Sequence, residues 1–294
     1  MHYDESLPPP DLALDVRRFW SLSDAPQGSG RAPPRPVERV IPDGRMELVV
    51  HLGDRFAEVA HDRAAGRFHS ARPQPRALLA GQIAGPLFLQ PGRAIDLFAI
   101  RFEPWGAAAL FGVDAAALAE RIVLLDDVVG AAAEELVDAL AAARGEAARV
   151  DAASRWLRER ARLGSPLRAP AWLHAVVRAA QHEPERHTVA TLAALAGSGR
   201  RDLDRRFARH VGLAPKPFLR VARVQQTLAA LEARPDAPLA VAALARGYCD
   251  QGHLTRDFGA LTGTTPARFL RERRGLETLL LDAAPPAAAF TSRA

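Results

Sequence analysis

The sequence predicts an α+β fold in two parts: a β-rich N-terminal domain with trailing helices, then an all-α C-terminal domain of two helix-turn-helix units joined by a linker helix. Three observations predict it. Short apolar runs separated by Gly and Pro fill residues 37–103, a strand-and-turn pattern. From residue 107 the apolar residues recur at helical spacing. Two stretches near the C-terminus, 192–215 and 242–266, align with each other.

In the first part, "MELVVHL" (46–52), "RALLAGQI" (76–83), "LFLQP" (87–91) and "AIDLFAIRF" (94–102) read as strands. "SLPPP" and "APQGSGRAPPRP" (25–36) read as loops. The Ala- and Leu-rich residues 107–163 read as helices broken near Gly145. "GSPLRAP" (164–170) marks the expected boundary, because the charge changes sign there. Residues 1–164 carry a net −3, whereas 165–275 hold seventeen Arg and one Lys against nine Asp or Glu, a net +9. This organisation gives domains at 1–165 and 171–274 and a flexible tail at 275–294.

The second part reads as short helices: "AWLHAVVRAAQHE", "TVATLAALAG", "GRRDLDRRFARHVG", a longer "FLRVARVQQTLAALEAR" starting after Pro217 and ending before Pro235, then "LAVAALARG", "DQGHLTRDFGALTG" and "TPARFLRERR". The repeat runs through this series. Leu203 pairs with Leu254, Arg205 with Arg256, Phe207 with Phe258, Gly212 with Gly263 and Pro215 with Pro266, all 51 apart. Before the turn the offset is 50, as in Ala193 with Ala243 and Gly197 with Gly247, so the second turn is one residue longer. Each copy is a short helix, a Gly-containing turn and a second helix.

That periodicity decides how the polar stretch "GYCDQGHLTRDF" (247–258) is read. Leu254, Phe258 and Leu261 share one helix face, as do Leu203, Phe207 and Val211. The polar residues therefore spread along an outward face beside an Arg and do not converge into a cleft. An outward Arg-bearing helix suits a major groove, where Arg bonds guanine, Gln bonds adenine and a Thr methyl packs on thymine. The positive charge of the region points the same way. Charge alone does not decide it, since Arg-for-Lys usage and abundant Ala are also the mark of a GC-rich coding bias.

Other chemistries find little purchase. No apolar run reaches the ~18 residues of a membrane span, and the N-terminus lacks a signal-peptide pattern, so a cytoplasmic protein without membrane contact is expected. The single Cys, Cys249, excludes an internal disulfide and reads as a buried or half-buried small residue in the turn. The nine His show no zinc spacing, and there is no G-x-S-x-G, P-loop or G-x-G-x-x-G. No metal, cofactor or catalytic residue is expected.

The C-terminal ~100 residues resemble the AraC/XylS-type transcription regulators. The resemblance rests on "L-x-R-x-F" in both second helices ("LDRRF", "LTRDF"), "VGLAP", "GYCDQGHLTRDF" and the closing "GTTPARFLR". Gly199 stands where that family usually has a capping Ser, and Ala242 where a larger aliphatic residue is common, which implies looser packing of the second unit. The N-terminal stretches "ERVIPDGRMELVVHLGD" (38–54), "LLAGQIAGPLFLQPGR" (78–93) and "IRFEPWGAAALFGV" (100–113) resemble the front domain of a subgroup of these regulators. That implies a sensor-like or dimerising domain.

Carried over residue by residue, the resemblance implies that the first recognition helix presents Arg200, Arg201, Asp204 and Arg205 to DNA bases. The second would present Asp250, Gln251, Gly252, His253, Thr255 and Arg256. Asp204 would orient Arg205 or accept from cytosine. Arg209, Arg220, Arg223 and Arg268 are candidates for phosphate contacts. Double-stranded DNA is the implied partner, with room for RNA polymerase, a small-molecule effector and a second copy of the chain. Two other readings stay open at this point. One is an enzyme in residues 1–163 targeted to DNA, for which His51, Asp54, Asp96 and Glu103 are the candidates. The other is a nonspecific structural DNA binder.

Overall fold

The computed structural model describes residues 1–24, 35–62, 66–165, 167–234 and 238–272. Its N-terminal half holds two antiparallel sheets. The six-stranded sheet has the order β1 (His2–Ser6), β2 (Val16–Asp24), β9 (Ile95–Phe102), β4 (Glu47–His51), β7 (Ala77–Ala80), β10 (Ile122–Leu124). The four-stranded sheet has the order β3 (Glu38–Val40), β8 (Leu87–Gln90), β5 (Ala57–Asp62), β6 (Arg67–Pro73). The four strands expected from the sequence are β4, β7, β8 and β9. β1 and β6 escaped because polar, exposed edges carry no apolar alternation, β5 because its few small apolar residues are interspersed with Glu, His and Asp, and β2 because Arg17, Arg18 and two Ser interrupt its apolar residues. The expected loop at 25–36 lies largely outside the described residues, as does the expected tail at 275–294.

β9 explains why its sequence is apolar almost throughout: both its faces are covered. Phe98, Ile100 and Phe102 point into a core with Phe19, Leu48 and Leu79. That core is closed by the helices α4 (Ala132–Ala142) and α5 (Glu146–Arg162), which bring Leu136, Leu140, Trp156 and Leu157. Ile95, Leu97 and Ala99 point the other way, against Trp20, Leu22, Phe56 and Leu89 between the two sheets. Gly145 is the N-cap of α5, at the expected break. The short helices α1 (Gly106–Phe111), α2 (Ala115–Leu118) and α3 (Asp126–Val129) link the sheet to these helices.

From α6 (Ala171–His182) the chain is helical. α7 (Val189–Leu195) and α8 (Arg200–Val211) form the first helix-turn-helix, α9 (Pro215–Ala233) the linker, and α10 (Leu239–Ala245) and α11 (Gln251–Thr262) the second, followed by α12 (Pro266–Glu272). The linker starts at Pro215, earlier than expected. Pro at the first helical position lacks an N–H that would have no intrahelical partner there anyway. Its 19 residues span roughly 28 Å at 1.5 Å each. Leu203, Phe207 and Val211 of α8 and Leu254, Phe258 and Leu261 of α11 are buried in one core with Phe218, Val221, Val224 and Leu228 of α9. Ile41 and Trp105 from the N-terminal half belong to the same core. Ala242 and Ala243 are both buried, so α10 packs closely through small residues.

Two predictions follow from this packing. Phe207→Ala and Phe258→Ala should each cost about 3–5 kcal/mol of stability, the usual cost of deleting a buried ring, measured by urea unfolding. His51, buried with its Nε2 3.2 Å from Gln74 Oε1, has its pKa pushed down to about 4 by burial. It is therefore protonated more readily in the unfolded chain, and its contribution to stability is lost as the pH falls from about 6.5 to about 4. His51→Asn should reduce the slope of unfolding midpoint against pH in that window. A residual slope remains, because burial also lowers the pKa of His174 and His210.

Candidate nucleic-acid interface

α8 commits one face to the core and turns Arg200, Arg201, Arg205 and Arg209 to solvent. Residues 201, 205 and 209 follow one another by a turn, so they form a stripe. The Arg205 side chain is 79% exposed, yet held: its Nη2 donates to Asp202 Oδ1 at 2.7 Å. Arg206 donates to the other oxygen of the same carboxylate at 3.1 Å and lies 4.5 Å over the Trp172 ring. These two hydrogen bonds hold the Asp202 carboxyl below its ordinary pKa. Of the two roles expected for Asp204, orienting Arg205 and accepting from cytosine, the geometry bears on the first. The structure gives it to Asp202, because side chains three and four apart meet on a helix whereas adjacent ones diverge. The i,i+3 and i,i+4 spacing of Asp202 with Arg205 and Arg206 was the signal for this.

α11 repeats the geometry. Leu254, Phe258 and Leu261 are buried, and Gln251, Gly252, Arg256 and Ala260 are exposed. Gly252 and Arg256 take the places of Arg201 and Arg205. Arg256 makes no ion pair among the described residues. Asp250 is the N-cap: its carboxylate accepts from the His253 amide at 2.6 Å. α8 starts instead at Gly199, which supplies no side-chain cap. The Thr255 hydroxyl donates to the Gln251 carbonyl at 2.8 Å. His253 is half-buried against Tyr248, with ring centroids 5.2 Å apart. Cys249 is exposed, contrary to expectation. Its neighbour Tyr248 is buried instead, and burial pushes its phenol up to about 12.

The four Arg expected at phosphates sit in different settings. Arg209 is exposed, with its Nε 4.0 Å from Asp114. Arg220 reaches from the linker helix to Asp257 of α11, with Nη2 3.0 Å from Oδ1. Arg223 is half-buried, its guanidinium 5.4 Å from the centroid of the Tyr248 ring and its Nη2 3.4 Å from the Pro184 carbonyl. Arg268 is exposed on α12. Arg220 and Arg223 thus tie the linker helix to the second unit, and Asp257 and Tyr248, which sequence reasoning passed over, are what they hold.

Each of the four residues considered for an enzyme in the N-terminal half has a partner. His51 bonds Gln74. Asp54 accepts from the amides of Arg93 and Ala94 at 2.9 Å each. Asp96 forms a bidentate pair with Arg149 at 2.8 and 2.9 Å, and Glu103 lies 3.7 Å from Arg17. No group of three His, Cys, Asp or Glu among the described residues is arranged to hold a metal ion. No helix among them is long and apolar enough to cross a membrane.

Residues 192–272 match the family model of a helix-turn-helix domain, and residues 4–124 match a domain of unknown function, DUF6597. No curated protein matches the chain. Among solved structures, ToxT from Vibrio cholerae is similar at 8% identity and a TM-score of 0.47, covering 94% of this chain and 100% of ToxT. ToxT from the same organism with an unsaturated fatty acid bound is similar at 8% identity and a TM-score of 0.42, covering 91% of this chain and 94% of that one. A probable AraC family transcriptional regulator from Rhodopseudomonas palustris is 27% identical over 34% of this chain and 99% of its own, with a TM-score of 0.29. The helix-turn-helix match falls on the residues that form the repeated unit, behind a domain of unknown function, and supports a DNA-binding transcription regulator.

Proposed function

We propose that the chain reads a specific DNA sequence with α8 and α11, each laid in one of two successive major-groove segments. One observation carries this reading: two helices related by an internal repeat, one before and one after a shared linker helix in the chain, expose stripes at equivalent positions, Arg201–Arg205–Arg209 and Gly252–Arg256–Ala260. Arg205 and Arg256 are the principal base readers. Arg200, Arg201 and Asp204 support the first, and Gln251, Gly252, His253 and Thr255 the second, with Asp250 setting the start of the helix. Arg209 and Arg268, with Arg220 and Arg223 beside them, position the phosphates. Residues 1–165 act as the regulatory domain and 171–274 as the DNA-binding domain.

An effector, RNA polymerase and a second copy of the chain are the further partners of this reading. An open cleft of about 760 Å³ beside β2 and the start of α5, lined by polar and apolar residues alike, among them Met1, Asp4, Ile95, Glu146 and Arg149, is one place where an effector would be sought.

Selection of duplexes from a random library at ~150 mM salt, where nonspecific phosphate binding is suppressed, tests the reading. Two short enriched blocks about one helical turn apart are expected; enrichment of none would overturn it. Arg205→Ala and Arg256→Ala should each relax preference at one base position at a cost of ~1–3 kcal/mol. An equal loss on selected and random DNA would reject the base-reading role. Cys249, exposed just before α11, should react with a thiol reagent in the native protein and be protected when the selected duplex is bound.

A further inference from the structure

The N-terminal segment between β7 and β8 touches the C-terminal ends of both recognition helices. Gly212 ends α8 and Gly263 ends α11, both in the left-handed conformation, at φ 93° and 75°. They are the same position in the two copies. A Cβ on Gly212 would lie 3.0 Å from Gln82 Cγ, and one on Gly263 would lie 3.2 Å from Pro86 Cγ and 3.5 Å from the Phe88 ring. Two equivalent helix ends, 51 residues apart, therefore rest on one strap only seven residues long.

The strap is itself anchored. Gln82 is fully buried, and its Nε2 donates to the Gly44 carbonyl at 2.7 Å. The amide of Ala84 donates to Glu120 at 2.5 Å. The loop at 42–44 in turn meets the linker helix. Gln225 Nε2 donates to the Pro42 carbonyl at 2.6 Å, and the Phe218 ring packs on Gly44. The Arg stripes stay clear of these contacts: Arg201, Arg205 and Arg256 remain exposed. The N-terminal half thus holds the reading helices from behind and leaves their DNA faces open.

We propose that the Gln82–Phe88 strap is a specificity-determining brace: it fixes the separation of the two recognition helices, and through it the spacing between the two base blocks that the protein prefers. Within the helical half, the two units are joined by the linker helix and by the contact of Glu185, before α7, with Gly247 in the second turn. The strap adds a further, independent tie, so the distance between α8 and α11 is held from two sides. The spacing consequence rests on the two-block reading above, whereas the tie itself does not.

The test uses the full chain with Cys249 replaced by Ser and spin labels at Arg200→Cys and Gln251→Cys. The distance distribution between the labels is measured without DNA. Gln82→Ala and Pro86→Ala, separately and combined, should broaden it at least twofold while circular dichroism keeps the helix content of the parent and unfolding stays cooperative, at a lowered Tm for Gln82→Ala. An unchanged width in a folded variant overturns the brace.

Unlabelled protein is then titrated with duplexes whose blocks are moved one base pair apart or together. The unmodified chain should lose tenfold or more in affinity and the strap variants less than threefold, with affinity for a single block unchanged. Equal spacing profiles overturn the effect on specificity. Absence of any two-block preference in the unmodified chain would instead defeat the two-block reading, and the label distances would still decide the brace.

Discussion

Everything about the DNA-binding half depends on burying a Leu-x-x-x-Phe stripe in each unit. Phe207 meets Phe218 of the linker helix edge-on at 5.3 Å, and Phe258 meets Phe269 of α12 in the same way at 5.5 Å. A helix that commits Leu203, Phe207 and Val211 inward has no choice about what it turns outward. The Arg stripes are exposed because the phenylalanines are not. Rotation of either helix by one residue would bury a guanidinium, which is far costlier than hiding a ring.

On that common frame the two units differ in their electrostatics. The first gathers Arg205 and Arg206 around Asp202 and clamps Arg206 on Trp172. The second uses its carboxylates elsewhere: Asp250 caps the helix, and Asp257 holds Arg220 of the linker. Exposed pairs of this kind add little to stability. Their effect is to set where a long side chain stands before DNA arrives. Arg205 is given a place by its own helix, while Arg256 is not given one by any described neighbour.

Much of this was legible in the chain itself, for a physical reason. Helical periodicity is local, so the repeat, the recognition helices and their inward and outward faces could be read from spacing alone. So could the central strands, whose apolar runs follow from being covered on both faces. The edge strands could not, because β6 is exposed along its whole length and leaves no apolar trace. At the interface, the exposed Arg were visible, but which carboxylate holds them was not until the i,i+3 geometry was imposed. The burial of Tyr248 and the exposure of Cys249 are set by the tertiary packing of the turn, which spacing does not reveal. The contacts of Gln82, Pro86 and Trp105 across the molecule are tertiary, and no local pattern encodes them. The three N-terminal stretches that resemble other regulators are nonetheless the ones that supply Pro42, Gln82, Pro86 and Trp105.

The presence of Ile41 and Trp105 in the core of the helical half bears on how the molecule comes apart. The Trp105 indole also stacks on the His174 ring of α6 at 4.3 Å. A change in net charge near residue 165 looks like a seam, but the apolar packing runs straight across it. Separating the halves would expose those rings and the phenylalanine they help to cover. Loosening one half therefore removes part of the other's interior. What the primary structure divides by charge, the apolar packing joins, so the interior of each half is completed by the other.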